Sequence, residues 1–84
     1  MFLHVTRVRY IDGYRLEVAF NDGMVKEVDL KDELYGEVFE PLKDAETFKQ
    51  VAVDVETNTI AWPNGADFAP EFLYEAGKEV RQVA

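Results

Sequence analysis

Eighty-four residues, 48% of them hydrophobic and 13% aromatic, are enough for one small domain with a core and too few for two. Seventeen acidic side chains against nine basic ones leave a net charge of −8, the wrong sign for releasing counterions from a phosphate backbone, so no direct nucleic-acid binding is expected. The chain has no Cys, and therefore no disulfide framework, thiolate zinc site or cysteine nucleophile.

The amino-terminal run Met1–Arg7 alternates and contains no long apolar stretch, which argues against a signal peptide or membrane span and for a cytoplasmic protein. Three segments with strand periodicity follow, joined at Ile11-Asp12-Gly13 and Asn21-Asp22-Gly23. A three-residue loop ending in Gly forms a type I turn followed by a left-handed residue, where Gly has no Cβ penalty. That loop length sets Tyr10 opposite Tyr14, Val8 opposite Leu16, Phe20 opposite Met24 and Leu16 opposite Val28. One face then collects Phe2, Val8, Tyr10, Tyr14, Leu16, Val18, Phe20, Met24, Val28 and Leu30 as the core side. A slip of one residue would put Arg7, Arg9 and Glu27 among these apolar groups, so burial selects the longer loop. The opposite face pairs Arg7 with Glu17 and Arg15 with Asp29, and groups Leu3, Val5, Ala19 and Val25 into an apolar patch. The patch needs a cover, either the tail with Val80 and Val83 or a second chain.

From Lys31 to Glu40 the period of two is lost, and Leu34-Tyr35-Gly36 predicts a short helical turn closed by Gly. Asp44 is placed to cap a helix of about two turns that packs through Leu42 and Phe48. Val51, Val53 and Val55, then Ile60 and Trp62, alternate on either side of Thr57-Asn58-Thr59 and predict a second hairpin. Pro70 opens a last helix that runs to Gly77, with Phe72, Leu73 and Ala76 as its buried stripe. Glu71, Glu75 and Glu79 form its solvated stripe, and Ala69 holds the cap position without a side-chain acceptor, leaving that role to Asp67. The whole chain, residues 1–84, reads as a single α+β domain in two layers: a three-stranded antiparallel meander, a short helix, a second hairpin and a C-terminal helix.

Candidate chemistry is sparse. His4 stands alone without a second imidazole or a thiolate, and the aspartates do not match a calcium loop, so neither a metal nor a cofactor is expected. There is no Ser, and the threonines have no histidine base in evident reach, so no catalytic residue is assigned. The scattered glycines form no phosphate-binding loop. The densest run of unusual residues is Trp62-Pro63-Asn64-Gly65-Ala66-Asp67. Turn and capping roles account for most of it. A binding role would use Trp62 as a flat platform, with Asn64, Gly65 and Asp67 as polar or close contacts. Both readings stand at this point.

The segments Pro41-Leu42-Lys43-Asp44, Phe48-Lys49-Gln50-Val51 and Ile60-Ala61-Trp62-Pro63-Asn64-Gly65-Ala66-Asp67-Phe68, with Pro70-Glu71 and Leu73-Tyr74, resemble a bacterial domain-of-unknown-function family of small proteins. The resemblance spans essentially the whole chain. It implies a compact α+β domain, found alone or fused to a helix-turn-helix domain and often encoded beside another small protein in what look like toxin–antitoxin-type pairs. It implies no established catalytic residue. Two expectations follow: a non-catalytic interaction module with an antitoxin-like accessory role, or a small-ligand-binding domain built on the Trp62–Asp67 loop. For the module, the expected partner is a second copy in a homodimer, through Leu3, Val5, Ala19 and Val25, or a small basic protein.

Overall fold

The computed structural model describes residues 2–80. Strands β1 (Val5–Asp12), β2 (Arg15–Phe20) and β3 (Val25–Asp29) form an antiparallel meander. Helix α1 (Ala45–Phe48), the hairpin β4 (Ala52–Asp54) and β5 (Thr59–Ala61), and helix α2 (Pro70–Ala76) follow, and the two-residue strand β6 (Lys78–Glu79) returns to pair with β3. The sheet order is β1-β2-β3-β6, with β4-β5 as a separate two-stranded sheet, an α+β arrangement as expected. One apolar cluster joins the sheet to the helices and the small hairpin through Leu16, Val28, Leu34, Phe48, Ile60 and Leu73.

The second hairpin of the meander has the expected register. Leu16 faces Val28 and Arg15 faces Asp29. The Phe20 N–H reaches the Met24 carbonyl at 2.9 Å, and Gly23 takes φ +91°. The first hairpin is shifted by two residues from expectation, with Tyr10 facing Leu16 and Val8 facing Val18. Its turn is the shorter Gly13-Tyr14, in which only the first central residue has positive φ, and the extra residue is absorbed as a bulge at Ile11. A shift of two preserves every side chain's face, so the core side survives the error. Arg9, not Arg7, therefore meets Glu17, at 3.1 Å. The Arg15 guanidinium turns to Asp12 at 2.6 Å and Glu27 at 3.2 Å. These pairs are solvated and contribute little to stability.

A second bulge corrects the expected outer patch. Val5 faces Phe20 while Arg7 faces Ala19, so Thr6 is the extra residue and Val5 rotates to the core side, where it is 2% exposed. Leu3 packs against the same core, Ala19 is buried, and Val25 is half-buried with its carbonyl accepting the Val80 N–H at 2.9 Å. Leu3, Val5, Ala19 and Val25 therefore do not form an exposed apolar surface. Val80 does lie on the β3 edge, whereas Val83 is outside the described residues. Phe2, expected inside, is 69% exposed beyond the first strand.

Asp44 caps α1 as expected, its carboxylate accepting the Thr47 N–H at 3.2 Å and the Thr47 hydroxyl at 2.9 Å. The helix is one turn instead of two, because the chain leaves it through Lys49 and Gln50 toward the β-branched alternation of β4. In the preceding connector the tight helical turn falls at Lys31–Glu33, not at Leu34–Gly36. Gly36, at φ +91°, opens a further turn whose carbonyl accepts from Phe39 and Glu40.

Helix α2 lies over β3 with Leu73 fully buried and Phe20 edge-on to Tyr74 at 4.9 Å. Ala76, expected in the buried stripe, is exposed because the helix ends there, and Tyr74 takes that place against the core. Glu79 belongs to β6, so the solvated stripe of the helix stops at Glu75. Ala69, exposed and extended, precedes Pro70 without a side-chain cap. Ala69→Ser should raise stability by roughly 0.5–1.5 kcal/mol in a thermal or urea melt, and a lower midpoint would place the helix start elsewhere.

Candidate functional site

Residues 62–67 form a closed turn. The Gly65 N–H reaches the Trp62 carbonyl at 2.9 Å, the Trp62 N–H reaches the Ala66 carbonyl at 3.0 Å, and Ala61 pairs with Asp67 as an isolated bridge. Pro63 has no N–H to contribute to this ladder, and Gly65 sits at φ +90°, where a side chain would be strained. Trp62 is 3% exposed and its indole N–H donates to the Phe48 carbonyl at 2.8 Å. Phe48 lies 5.6 Å from the indole and Phe68 5.9 Å, and Phe68 continues the aromatic row to Phe39 at 4.8 Å and Phe72 at 5.4 Å. Trp62 is therefore a core residue whose one polar atom is satisfied, and it presents no open platform.

Asn64 links two parts of the chain. Its Oδ1 accepts the Ala66 N–H at 3.1 Å, which tightens the turn, and its Nδ2 donates to the Val38 carbonyl at 2.9 Å. Val38 belongs to the irregular connector between β3 and α1. Asp67 is exposed and makes no side-chain hydrogen bond among the described residues, so its contribution is the backbone bridge to Ala61 and not a helix cap. The four expected contact residues, Trp62, Asn64, Gly65 and Asp67, all belong to one turn, and Trp62 borders a concavity to which the other three do not contribute.

That concavity is a groove of about 390 Å³ on the outer side of the β4-β5 hairpin, lined by Gln50, Ala52, Val55, Ala61, Trp62 and Pro63 among others. Ala52 and Ala61 face each other across the strands, and two adjacent small side chains leave the depression. A second hollow, about 260 Å³, lies between Arg15, Glu27, Asp29, Ala76 and Lys78, where most of the charges already have partners. Among the described residues no three His, Asp or Glu side chains converge as metal ligands, and no helix is long and apolar enough to cross a membrane. His4 is half-buried just before β1, with its ring beside the Phe2 carbonyl.

The surface connector from Lys31 to Lys43 is anchored at both ends by buried Leu34 and Leu42, and by Phe39 against Phe68. Between these anchors Tyr35 is 68% exposed and Val38 is 42% exposed. Asp32, Glu33 and Glu37 lie beside them with no cation within ion-pair distance among the described residues. No sequence period marks this segment.

Residues 5–79 match a family described as a protein of unknown function (DUF2442), a span that runs from the first strand of the sheet to the last. The chain belongs to the DUF2442 family. Comparison with curated proteins and with solved structures returns no match. For this DUF2442 chain, the indole bond to Phe48 and the Asn64 bridge to Val38 give the conspicuous loop a structural role.

Sequence reasoning missed three further positions. Lys26 lies on the core face opposite Val18. Its ammonium caps helix α2 at the Tyr74 carbonyl, 2.6 Å away, and sits 3.9 Å from the Tyr74 ring. The signal was available, because Met24, Lys26 and Val28 share a parity. Asn21 holds the amino-terminal segment, accepting the His4 N–H at 2.9 Å and donating to the Phe2 carbonyl at 2.8 Å. Asp22 accepts the Tyr74 hydroxyl at 2.6 Å, tying the second hairpin turn to α2.

The Tyr74 hydrogen bond, with a further bond from the Met24 N–H, holds the Asp22 carboxyl below the usual range, and the same bond to Asp22 raises the Tyr74 phenol. The Asp22 contribution to stability is present above the ordinary carboxylate value and is lost as pH falls through the depressed folded value. The Tyr74 contribution is present below the ordinary phenol value and is lost as pH rises through the raised folded value. Tyr74→Phe should therefore flatten both the acid and the alkaline limbs of a stability–pH curve. It should leave the part of the acid limb that comes from Asp12, whose carboxyl is lowered by Arg15. A curve unchanged at both ends would show that this bond does not form in solution.

Proposed function

We propose that this protein is a non-catalytic interaction module that binds a small basic protein, in an antitoxin-like accessory role. The observation that supports this reading is the connector surface. A large aromatic and an aliphatic side chain stand exposed there among carboxylates with no cation partner among the described residues, on a chain of net charge −8. Exposed aromatics supply anchors at protein contacts, and unneutralised acidic charge steers a basic partner. The homodimer is the less favoured assembly: its apolar patch is dispersed by the Thr6 bulge, and like charge opposes self-association.

The alternative, small-ligand binding, is supported by the groove at Trp62 and Pro63, which uses only Trp62 of the four loop residues. Co-purification from the native host separates the two. The interaction reading expects a basic protein whose retention falls as salt is raised. Retention of a small molecule alone, or of a partner indifferent to salt, would overturn it.

A further inference from the structure

We infer that the turn Tyr35–Val38 is the docking surface for a basic segment carrying an apolar side chain, and that Asn64 is the positioning residue that pre-orders this turn. The inference rests on the interaction reading and specifies its surface. Irregular connectors on a protein surface are ordinarily mobile, and ordering one on binding costs side-chain and backbone entropy. This connector is held before any partner arrives. Leu34 and Leu42 are buried on either side of it, Phe39 is fixed against Phe68, and both the Phe39 and Glu40 N–H groups bond the Gly36 carbonyl, at 3.1 and 2.9 Å. The carbonyl of Val38, at the end of this turn, is tied across 26 residues of chain by the Asn64 Nδ2 at 2.9 Å.

The result is a fixed crest with Tyr35 and Val38 outward, flanked by Asp32, Glu33 and Glu37. Charge complementarity selects the occupant. Arginine or lysine side chains meet the carboxylates while an apolar residue meets Tyr35 and Val38, and a second copy of this acidic chain would bring like charge to the same place. Asn64 also explains why the densest run of unusual residues need not touch a ligand: it closes its own turn with Oδ1 and holds the binding surface with Nδ2.

The two halves of the Asn64 amide allow a clean test. Asn64→Asp keeps an acceptor for the Ala66 N–H and removes the donor to Val38, whereas Asn64→Ala removes both. Amide hydrogen exchange is measured on wild type and both variants. Binding of a short peptide of alternating arginine and leucine is measured at physiological ionic strength on these proteins and on Tyr35→Ala. Asn64→Asp should leave the melting midpoint close to wild type while raising exchange at Phe39 and Glu40 by about two- to tenfold, and should weaken the peptide by a similar factor. Tyr35→Ala should weaken the peptide without changing exchange elsewhere. Exchange at Phe39 and Glu40 unchanged by Asn64→Asp would overturn the positioning role alone. Peptide affinity unchanged by Tyr35→Ala, or a homodimer that Tyr35→Ala dissolves, would overturn the docking surface.

Discussion

Trp62→Ala is expected to lower the unfolding free energy by about 3–5 kcal/mol, a large part of the roughly 4–12 kcal/mol available to a domain of this length. The indole is 3% exposed between Phe48 and Phe68, so its removal leaves a cavity among rings that cannot collapse without displacing the aromatic row. It also removes the indole N–H bond to the Phe48 carbonyl at 2.8 Å, leaving that oxygen only the longer bond from the Val51 N–H at 3.4 Å, a loss of about 0.5–1.5 kcal/mol. Trp62→Phe separates the two terms, since it keeps most of the volume and loses the donor. Urea denaturation reads both. An unchanged midpoint for Trp62→Ala, together with lost partner or ligand binding, would return the loop to a functional role.

Gly77→Ala should destabilise by about 1–3 kcal/mol, although the same change at an unconstrained site with this backbone would stabilise by about 0.4–1 kcal/mol. Gly77 has φ −77° and ψ 155°, a conformation open to any residue, so a left-handed helix stop is not the reason for glycine here. Its reason is proximity. A Cβ at this position would stand 2.8 Å from the Lys26 Cβ, 2.9 Å from the Leu73 carbonyl oxygen and 3.0 Å from a Val28 methyl. Neither the Lys26 Cβ nor a backbone oxygen can swing aside, so α2 would have to lift from β3, loosening the Tyr74 contacts to Lys26 and Asp22. The sign of the change in melting temperature decides between the two explanations.

The elements legible in the sequence were those whose signal is local. Asp44 and Thr47 are three residues apart, and the cap could be read from that spacing. The Asn21-Asp22-Gly23 loop contains its own left-handed residue, so its register followed. Ile60 and Trp62 share a strand parity, and both are buried. Errors arose where one extra residue changes the count: the bulge at Ile11 moved a register by two without changing faces, and the bulge at Thr6 moved Val5 from one face to the other. Bulges depend on what packs across the strand. At Val5 that is the tie between its N–H and the Asn58 carbonyl of the second hairpin, 2.9 Å, which no local pattern announces. The candidate site failed to show for the same reason. Asn64 was recognisable as a turn residue, but its second partner lies in a connector with no period, and the exposure of Tyr35 and Val38 is set by burial of Leu34, Phe39 and Leu42 around them.

Residue-resolved NMR shift mapping of the isotopically labelled protein, titrated with its co-purified basic partner, tests the central claim most directly. Perturbations confined to the connector, centred on Tyr35, Gly36, Glu37 and Val38 and reduced by Tyr35→Ala, are the predicted result. Perturbations centred instead on Gln50, Ala52, Val55 and Pro63, with the connector silent, would contradict it and place binding in the groove beside Trp62.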